Sequence, residues 1–277
     1  MSAGFLEEMA QASRARVRVA QALRSVAVLE RAAHAAAPAP RLRLDRAGFD
    51  LIAELKLRSP AQGALRGADE DVAARVGAYA RAGAAAVSVL TEPQRFDGSL
   101  EHLHSAARAL APAAVPAMRK DFLVDPYQVL EARAAGAGGV LVILRMLPRA
   151  ASEALIECAR ACNLFVLLEA FDAADIALMH EFVTHFGPGV QLLAGLNCRD
   201  LGTLQVVPGR LAQLAPLLPR GVPRVAESGV VTPADARAVA AVGYQLALVG
   251  SALMQGEDPG RLAAELLAAG RSVSGVR

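Results

Sequence analysis

The spacing of hydrophobic positions changes after about residue 40. From Phe5 to about Ala37, apolar residues recur at helical intervals, which predicts one helix or a pair of helices. Two prolines directly follow, and proline both lacks a backbone donor and restricts the residue before it. The remaining chain alternates short apolar runs with Ala- and Leu-rich stretches. We therefore predict an N-terminal helical extension at residues 1–46 and a second unit at residues 47–277, together forming one structural domain.

Eight apolar runs in the second unit have the length and composition of buried strands. Their starts recur at intervals of roughly 22–35 residues, the size of a strand and a helix together. Gly83, Gly136 and Gly243 stand where predicted helices end, as glycine often does. Eight such units predict an α/β fold, a closed (β/α)8 TIM barrel. The predicted strands are Phe49–Leu55, Ala84–Leu90, Ala114–Arg119, Gly138–Leu144, Leu164–Leu168, Val190–Leu196, Val222–Ala226 and Tyr244–Val249.

Charged residues follow the first, third and fifth predicted strands, where such barrels carry their active sites. Glu54 and Lys56 are two residues apart and so share one face of a strand, although a surface ion pair is the alternative. Lys120 is a second candidate ammonium, and Phe122 is a candidate apolar wall. Glu169 closes an apolar run, which suits a general base with a tuned pKa or, alternatively, a helix-start carboxylate.

Polar and glycine-containing turns follow the last three predicted strands. Asn197 offers a neutral donor and acceptor, and Arg199 offers a bidentate anion clamp. The dipeptides Ser228-Gly229 and Gly250-Ser251 resemble the barrel phosphate site, where backbone N–H groups and a short helix receive the anion. Either dipeptide alone indicates only a turn, but the two together predict a phosphate site.

The amino-acid composition argues against several classes of function and of binding site. The 277 residues carry 29 Lys+Arg and 27 Asp+Glu, so a net charge of +2 provides no overall field for nucleic acid or an anionic membrane. No apolar stretch is long enough for a membrane span. Three cysteines indicate no disulfide framework, and the histidines lack the spacing of a metal site. We expect a cytoplasmic protein, and a mitochondrial transit peptide around the arginines of residues 13–18 is the competing interpretation.

Several of these strand-end segments together form a recognisable pattern, which covers nearly the whole chain. They are Ile52–Lys56 with Ser59, Pro60 and Gly63, then Phe96–Leu100, Arg119–Gln128, Gly195–Leu201 and Ala226–Gly229. The chain thereby resembles the indole-3-glycerol phosphate synthase family. The resemblance implies a (β/α)8 barrel that converts 1-(2-carboxyphenylamino)-1-deoxyribulose 5-phosphate into indole-3-glycerol phosphate by ring closure, decarboxylation and dehydration. It implies no cofactor, a small phosphorylated substrate as the partner, and a monomer or weak homo-oligomer.

The resemblance also assigns roles to residues. It implies that Lys120 is the general acid, that Lys56 holds the substrate carboxylate and assists the later dehydration, and that Glu54 orients the lysines. Glu169 would take or relay a proton during dehydration, while Asn197 and Glu227 would bind substrate hydroxyls or the amine. The phosphate would contact Ser59, Ser228, Gly229, Gly250 and Ser251. Arg199 matches the substrate's negative charge, and the ring would pack on Phe96, Phe122 and Leu144.

Three positions depart from the family pattern. Ala170-Phe171 replaces a small or branched residue followed by histidine, Arg145 stands where a small residue is expected, and Cys198 replaces asparagine. Arg145 either alters the pocket or points outward. Two other functions compete with the synthase. A phosphoribosylanthranilate isomerase would use a Cys/Asp pair, whereas a non-catalytic barrel would tend to lose costly buried charges, yet Lys56, Lys120 and Glu169 are intact.

Overall fold

Eight parallel strands close into a barrel in the computed structural model, which describes residues 2–45, 48–67 and 69–274. The barrel closes where the last strand pairs with the first, with Leu246 beside Asp50. This confirms the predicted (β/α)8 architecture. Strands β1 to β8 are, in order, Asp50–Leu55, Ala86–Leu90, Ala117–Lys120, Gly139–Ile143, Phe165–Ala170, Leu192–Asn197, Arg224–Glu227 and Leu246–Val249.

Helices precede the barrel and cover its outer face. A two-strand hairpin, Arg58–Ser59 with Gly63–Ala64, follows β1, and short 3-10 turns lie at Ala111–Ala113, Leu144–Met146 and Ala215–Leu217. No helix among the described residues is long and apolar enough to cross a membrane. Helices α1 to α12 are Ser2–Leu23, Val26–Ala35, Val72–Arg81, Pro93–Phe96, Leu100–Leu110, Pro126–Ala134, Arg149–Ala161, Ala173–Phe186, Arg210–Leu214, Pro233–Ala241, Ser251–Gln255 and Pro259–Ser274.

The strands begin one to three residues later than the sequence predicts. Gly83, Gly136 and Gly243 have φ of +94°, +90° and +97°, so they form the predicted left-handed turns, and the residues after them lead into the strands. The difference is largest at β3. Ala114 itself is left-handed, with φ +54°, and ends the preceding 3-10 turn, so the strand starts only at Ala117.

The N-terminal extension is a pair of helices, α1 and α2. Arg24 and Ser25 connect them. The predicted boundary between extension and barrel falls on residues 46 and 47, which lie outside the described residues, so the division stays a prediction. Helix α2 packs against α6, and α1 reaches the mouth of the barrel. The extension therefore contacts the barrel both along its side and at the end where the strands finish.

Candidate active site

A cavity of about 430 Å³ opens at the carboxyl ends of the strands. Every predicted site residue lines it except Leu144. Leu144 is buried in the 3-10 turn after β4 and is not among the residues that line the cavity, whereas Leu141 and Ile143 are. The predicted residues that line the cavity are Glu54, Lys56, Ser59, Phe96, Lys120, Phe122, Glu169, Asn197, Arg199, Glu227, Ser228, Gly229, Gly250 and Ser251.

Glu54 lies between two lysines. Its Oε1 is 3.0 Å from Lys56 Nζ and its Oε2 is 3.8 Å from Lys120 Nζ, and all three side chains line the cavity. Burial opposes the negative charge, but the two ammonium groups lower the pKa of Glu54 below its ordinary value. Burial likewise opposes the charge on Lys120, yet Glu54, Glu169 and Glu227 raise its pKa. Both groups are therefore charged at neutral pH.

Two further carboxyl groups, those of Glu169 and Glu227, line the same cavity. Glu169 Oε1 accepts a hydrogen bond of 2.6 Å from Asn197 Nδ2, and Asn197 is beside Glu227 in the pairing of β6 with β7. Burial raises the pKa of Glu169. Burial and the charge of Glu169 raise the pKa of Glu227 well above its ordinary value. Among the described residues, neither oxygen of Glu227 has a hydrogen-bond partner, so this group faces the cavity with its polar atoms free.

Two glycines make room for these carboxylates. A Cβ atom at Gly195 would lie 2.2 Å from Glu227 Oε1, and a Cβ at Gly250 would lie 2.2 Å from Glu54 Oε1. Both distances are far below van der Waals contact. The carboxylates can therefore occupy these positions only because Gly195 and Gly250 carry no side chain.

The turns after β7 and β8 form the polar end of the cavity. Ser228 and Gly229 are both left-handed, with φ of +66° and +75°, and Gly250 precedes the short helix α11. Ser59 is buried nearby and its Oγ accepts a hydrogen bond from Ala61 N. Arg199 also lines the cavity, while one of its guanidinium nitrogens donates to Leu204 O over 2.6 Å. This end gathers the residues that the sequence assigns to phosphate binding.

Aromatic rings form the apolar wall at the other end. Phe96 and Phe122 have ring centroids 6.2 Å apart, and Phe5 of α1 packs edge-on against Phe122 at 5.9 Å. Phe5 and Leu6 line the cavity, although the sequence predicted neither as a site residue. Their helical spacing indicated only a buried face, and no motif showed that this face would cover the barrel mouth.

A buried polar network holds the loop that directly follows Lys120. Arg16 of α1 donates to Asp121 Oδ1 over 2.7 Å and to Glu92 Oε1 over 3.2 Å. Asp121 directly follows Lys120, and its Oδ2 accepts from Thr91 Oγ1. Glu92 also caps α4, which carries Phe96. One arginine of the extension thus connects two loops of the cavity.

Arg145, the unexpected cation after β4, points away from the cavity. It forms ion pairs with Asp172 and Asp175, and its guanidinium carbon lies 5.0 Å from the ring centroid of Phe171. Phe171 lines the cavity and its backbone N–H donates to Asp175. Arg145 and Phe171, which both depart from the family pattern, are therefore in contact. Arg145 and the two aspartates hold the Phe171 ring in the cavity wall. No group of three or more potential metal ligands assembles within the described ranges.

Comparisons with known proteins agree with this geometry. A family model described as indole-3-glycerol phosphate synthase matches residues 6–266. An indole-3-glycerol phosphate synthase of Kineococcus radiotolerans is 43% identical over 82% of this chain and 78% of its own. That of Parafrankia sp. is 41% identical over 96% of both chains.

Solved structures show the same fold at low sequence identity. A 3-hexulose-6-phosphate synthase from Salmonella typhimurium has a TM-score of 0.60 at 13% identity, covering 81% of this chain and all of its own. A tryptophan synthase from M. tuberculosis has a TM-score of 0.57 at 16% identity, with coverage of 81% and 94%. These two support the barrel alone, whereas the family match and the curated relatives extend over nearly the whole sequence. The chain belongs to the indole-3-glycerol phosphate synthase family.

Proposed function

We propose that this protein converts 1-(2-carboxyphenylamino)-1-deoxyribulose 5-phosphate into indole-3-glycerol phosphate, CO₂ and water, a step of tryptophan biosynthesis. The observation that carries the proposal is the position of Lys120, a buried ammonium that faces the cavity and is kept protonated by surrounding carboxylates. A proton donor of this kind is needed when a ring carbon attacks a ketone, because negative charge develops on the ketone oxygen.

Lys120 acts as the general acid in ring closure. The ring carbon that bears the carboxylate attacks the ketone carbon, and the ketone oxygen takes a proton from Lys120 Nζ. Loss of CO₂ then returns the electron pair to the ring. Lys56 holds the carboxylate before it leaves, and Glu54, 3.0 Å from Lys56 Nζ, fixes the position of that ammonium.

Dehydration completes the product. The hydroxyl formed in the first step leaves as water, and Glu169 takes or relays the proton released from the intermediate. Its raised pKa brings its titration closer to neutral pH, where an acid and base catalyst is most effective. Asn197 orients Glu169 through the 2.6 Å hydrogen bond, and Glu227 binds the substrate amine or a hydroxyl with its unpaired oxygens.

Substrate orientation follows from the two ends of the cavity. The phosphate binds at the turns after β7 and β8, through Ser228, Gly229, Gly250 and Ser251, with Ser59 opposite and Arg199 contributing positive charge. The ring binds among Phe96, Phe122 and Leu141, with Phe5 covering it. The reacting carbons then lie between the two lysines and Glu169.

The Lys/Glu set favours this reaction over isomerisation by a Cys/Asp pair. Cys198, the cysteine nearest the strand ends, is buried beneath Gly229 rather than on the cavity wall, and burial raises the pKa of its thiol. The charged groups that a non-catalytic barrel would lose are all in place. We further propose a cytoplasmic monomer or weak homo-oligomer that does not bind nucleic acid.

The direct test incubates the purified protein with the ribulose phosphate substrate and follows indole fluorescence together with CO₂ release. The proposal expects both signals to rise in equal amounts. Fluorescence without CO₂ would contradict the order of bonds made and broken. Tight binding of a reduced substrate analogue without either signal would show that the barrel binds but does not catalyse.

A further inference from the structure

The aromatic residues of this chain are concentrated at the catalytic cavity. The sequence holds eight phenylalanines and no tryptophan, and four of the eight line the cavity, which suits an aromatic substrate ring. They are Phe5, Phe96, Phe122 and Phe171. The first three have a place around the ring in the proposed complex, whereas the role of Phe171 is open.

Phe171 lies at one end of an apolar arc around the cavity. In the order of the barrel strands, Phe96 follows β2, Phe122 follows β3, Ile143 ends β4 and Phe171 follows β5. All four line the cavity. The next strand, β6, ends at the polar Asn197, so Phe171 is the last residue of this arc. A substrate ring seated against the arc therefore has Phe171 at its edge.

The backbone at Phe171 is anchored by the helix that follows it. The N–H of Phe171 donates to Asp175 Oδ2 over 2.8 Å, and Asp175 lies in the first turn of α8. Asp172, the N-cap of α8, in turn accepts from the N–H groups of Ala174 and Asp175. The turn between β5 and α8 is thus fixed on both sides of Phe171, which is only 3% exposed.

Arg145 holds the ring of Phe171 without lining the cavity itself. Its guanidinium carbon lies 5.0 Å from the ring centroid, where a cation is attracted to the face of an aromatic ring. Arg145 Nε donates to Asp175 Oδ2 over 2.7 Å, and the same guanidinium pairs with Asp172. The ring therefore has a charged group packed against it that two carboxylates keep in place.

We propose that Phe171 is a specificity-determining residue, which restricts the cavity to an unsubstituted 2-carboxyphenylamino ring, and that Arg145 is the positioning residue that keeps Phe171 in the wall. The inference rests on the proposed function, because it concerns the ring of that substrate. A wall rejects an added methyl group only when its side chains cannot move aside, since close-packed groups tolerate little overlap. The contacts of Phe171 with Asp175 and Arg145 prevent this movement.

The test measures affinity and needs no turnover. The probes are a substrate analogue whose ketone is reduced to an alcohol, and versions of it with one methyl group on each ring carbon that bears hydrogen. Calorimetric titration gives the ratio of the Kd of each methylated analogue to that of the unsubstituted one. In the wild type, we expect a ratio of at least about tenfold at one or more ring positions, the scale on which pockets discriminate one methyl group.

Removal of the ring should relax this discrimination. In Phe171→Ala, we expect the largest ratio to fall at least about fivefold, because the space that the ring occupied becomes free for the methyl group. Phe171→Leu removes less volume and should change the ratio in the same direction, so it decides the question if Phe171→Ala does not fold. Circular dichroism confirms that each variant is folded.

Two arginine variants test the positioning role. Arg145→Met should lower the ratio at the same ring position, by less than Phe171→Ala, because the ring remains but can move. Arg149→Met is the matched control. The Arg149 guanidinium carbon lies 5.7 Å from the ring centroid of Phe182 and also pairs with two glutamates, but neither residue lines the cavity. Its ratios should equal those of the wild type.

The outcomes separate this inference from the proposed function. Ratios near one at every ring position of the wild type, or ratios equal in the wild type and both Phe171 variants, would overturn the role of Phe171. An unchanged ratio in Arg145→Met would overturn the positioning role of Arg145. Failure of the wild type to bind the unsubstituted analogue would instead contradict the proposed function, and with it the inference.

Discussion

Three buried glutamates of the catalytic cavity differ in their acidity because their neighbours differ. Glu54 lies beside two ammonium groups, which lower its pKa. Glu169 has one hydrogen-bond donor, and Glu227 has none among the described residues, so burial raises the pKa of both. The same side chain can therefore hold a lysine in place at one position and exchange protons at another.

Glu227 gives a prediction about stability and pH. Because its pKa in the folded protein is above the ordinary value of 4.5, its stabilising contribution is fully present below about pH 4.5 and is lost as pH rises through the folded pKa. Glu227→Gln removes this titration. We expect the variant's Tm, measured by calorimetry, to exceed that of the wild type at pH 8 and to match it near pH 4.5, while its activity falls. Identical Tm profiles for the two proteins would contradict the buried, unpaired state of Glu227.

Ser251 gives a prediction about the phosphate end of the cavity. Ser251→Glu places a carboxylate where the substrate phosphate is expected to bind, and like charges this close repel strongly. We expect KM to rise by at least about tenfold, with kcat changed much less. Ser272→Glu, at an exposed position of α12, is the matched control and should leave both constants unchanged. An unchanged KM for Ser251→Glu would move the phosphate to another part of the cavity.

The sequence pattern located the charged residues of the cavity more accurately than its apolar residues. Glu54, Lys56, Lys120 and Glu169 end strands, and the barrel rule then places them together. Leu144 lies in the 3-10 turn after β4 and does not line the cavity, whereas Leu141 and Ile143 of the strand do. The pattern of apolar letters does not show where a strand stops.

At the scale of elements, α1 joins the extension to the catalytic loops. Ser13 Oγ donates to Phe122 O over 2.6 Å, and Arg16 binds the carboxylates of Asp121 and Glu92. The side chains of these two acids are almost fully buried. Helix α1 therefore fixes both the aromatic wall and the loop that directly follows Lys120.

Arg16→Met tests this connection. Loss of the guanidinium leaves two buried carboxylates with fewer partners, at a cost of about 1–3 kcal/mol in unfolding free energy. We expect kcat to fall roughly tenfold through misplacement of Lys120. Arg16→Lys should restore part of it. Arg18→Met, the same change at an exposed position of α1, is the control and should leave kcat and stability close to wild type. Equal kinetics for Arg16→Met and wild type would show that α1 covers the cavity without positioning its residues.

The sequence predicted that α1 exists but not where it docks. Its helical spacing shows which side is apolar, whereas its partners on the barrel are 76 to 109 residues away in the chain. Contacts at that separation leave no periodic signal. The strand order was predictable, by contrast, because repeated strand-helix units have one common way of closing.

At the scale of the whole molecule, the last helix packs against the first strand of the barrel. Helix α12 packs on β1, and a Cβ atom at Gly270 would lie only 2.0 Å from Phe49 Cδ1. Arg271 beside it donates to Phe49 O and to Asp50 Oδ1. The C-terminal part of the chain thus holds the strand that carries Glu54 and leads to Lys56.

Gly270→Ala should destabilise the entire fold. The added methyl group meets the buried ring of Phe49, and overpacking of this kind costs about 1–3 kcal/mol, more than the gain in helix propensity. Urea unfolding followed by circular dichroism measures the change. Gly4→Ala is the control: nothing lies within 4 Å of its added Cβ, so we expect a gain of up to about 1 kcal/mol. Equal losses of stability in both variants would contradict the packing described for α12.

The central claim is that Lys120 supplies the proton for ring closure, and turnover of Lys120→Ala tests it most directly. Wild type and variant are compared at saturating ribulose phosphate substrate by indole fluorescence, with circular dichroism to confirm folding and a reduced substrate analogue to measure affinity. We predict that turnover falls at least about 10²-fold, the scale of general acid catalysis, while analogue affinity changes little. Turnover equal to that of the wild type would contradict the account.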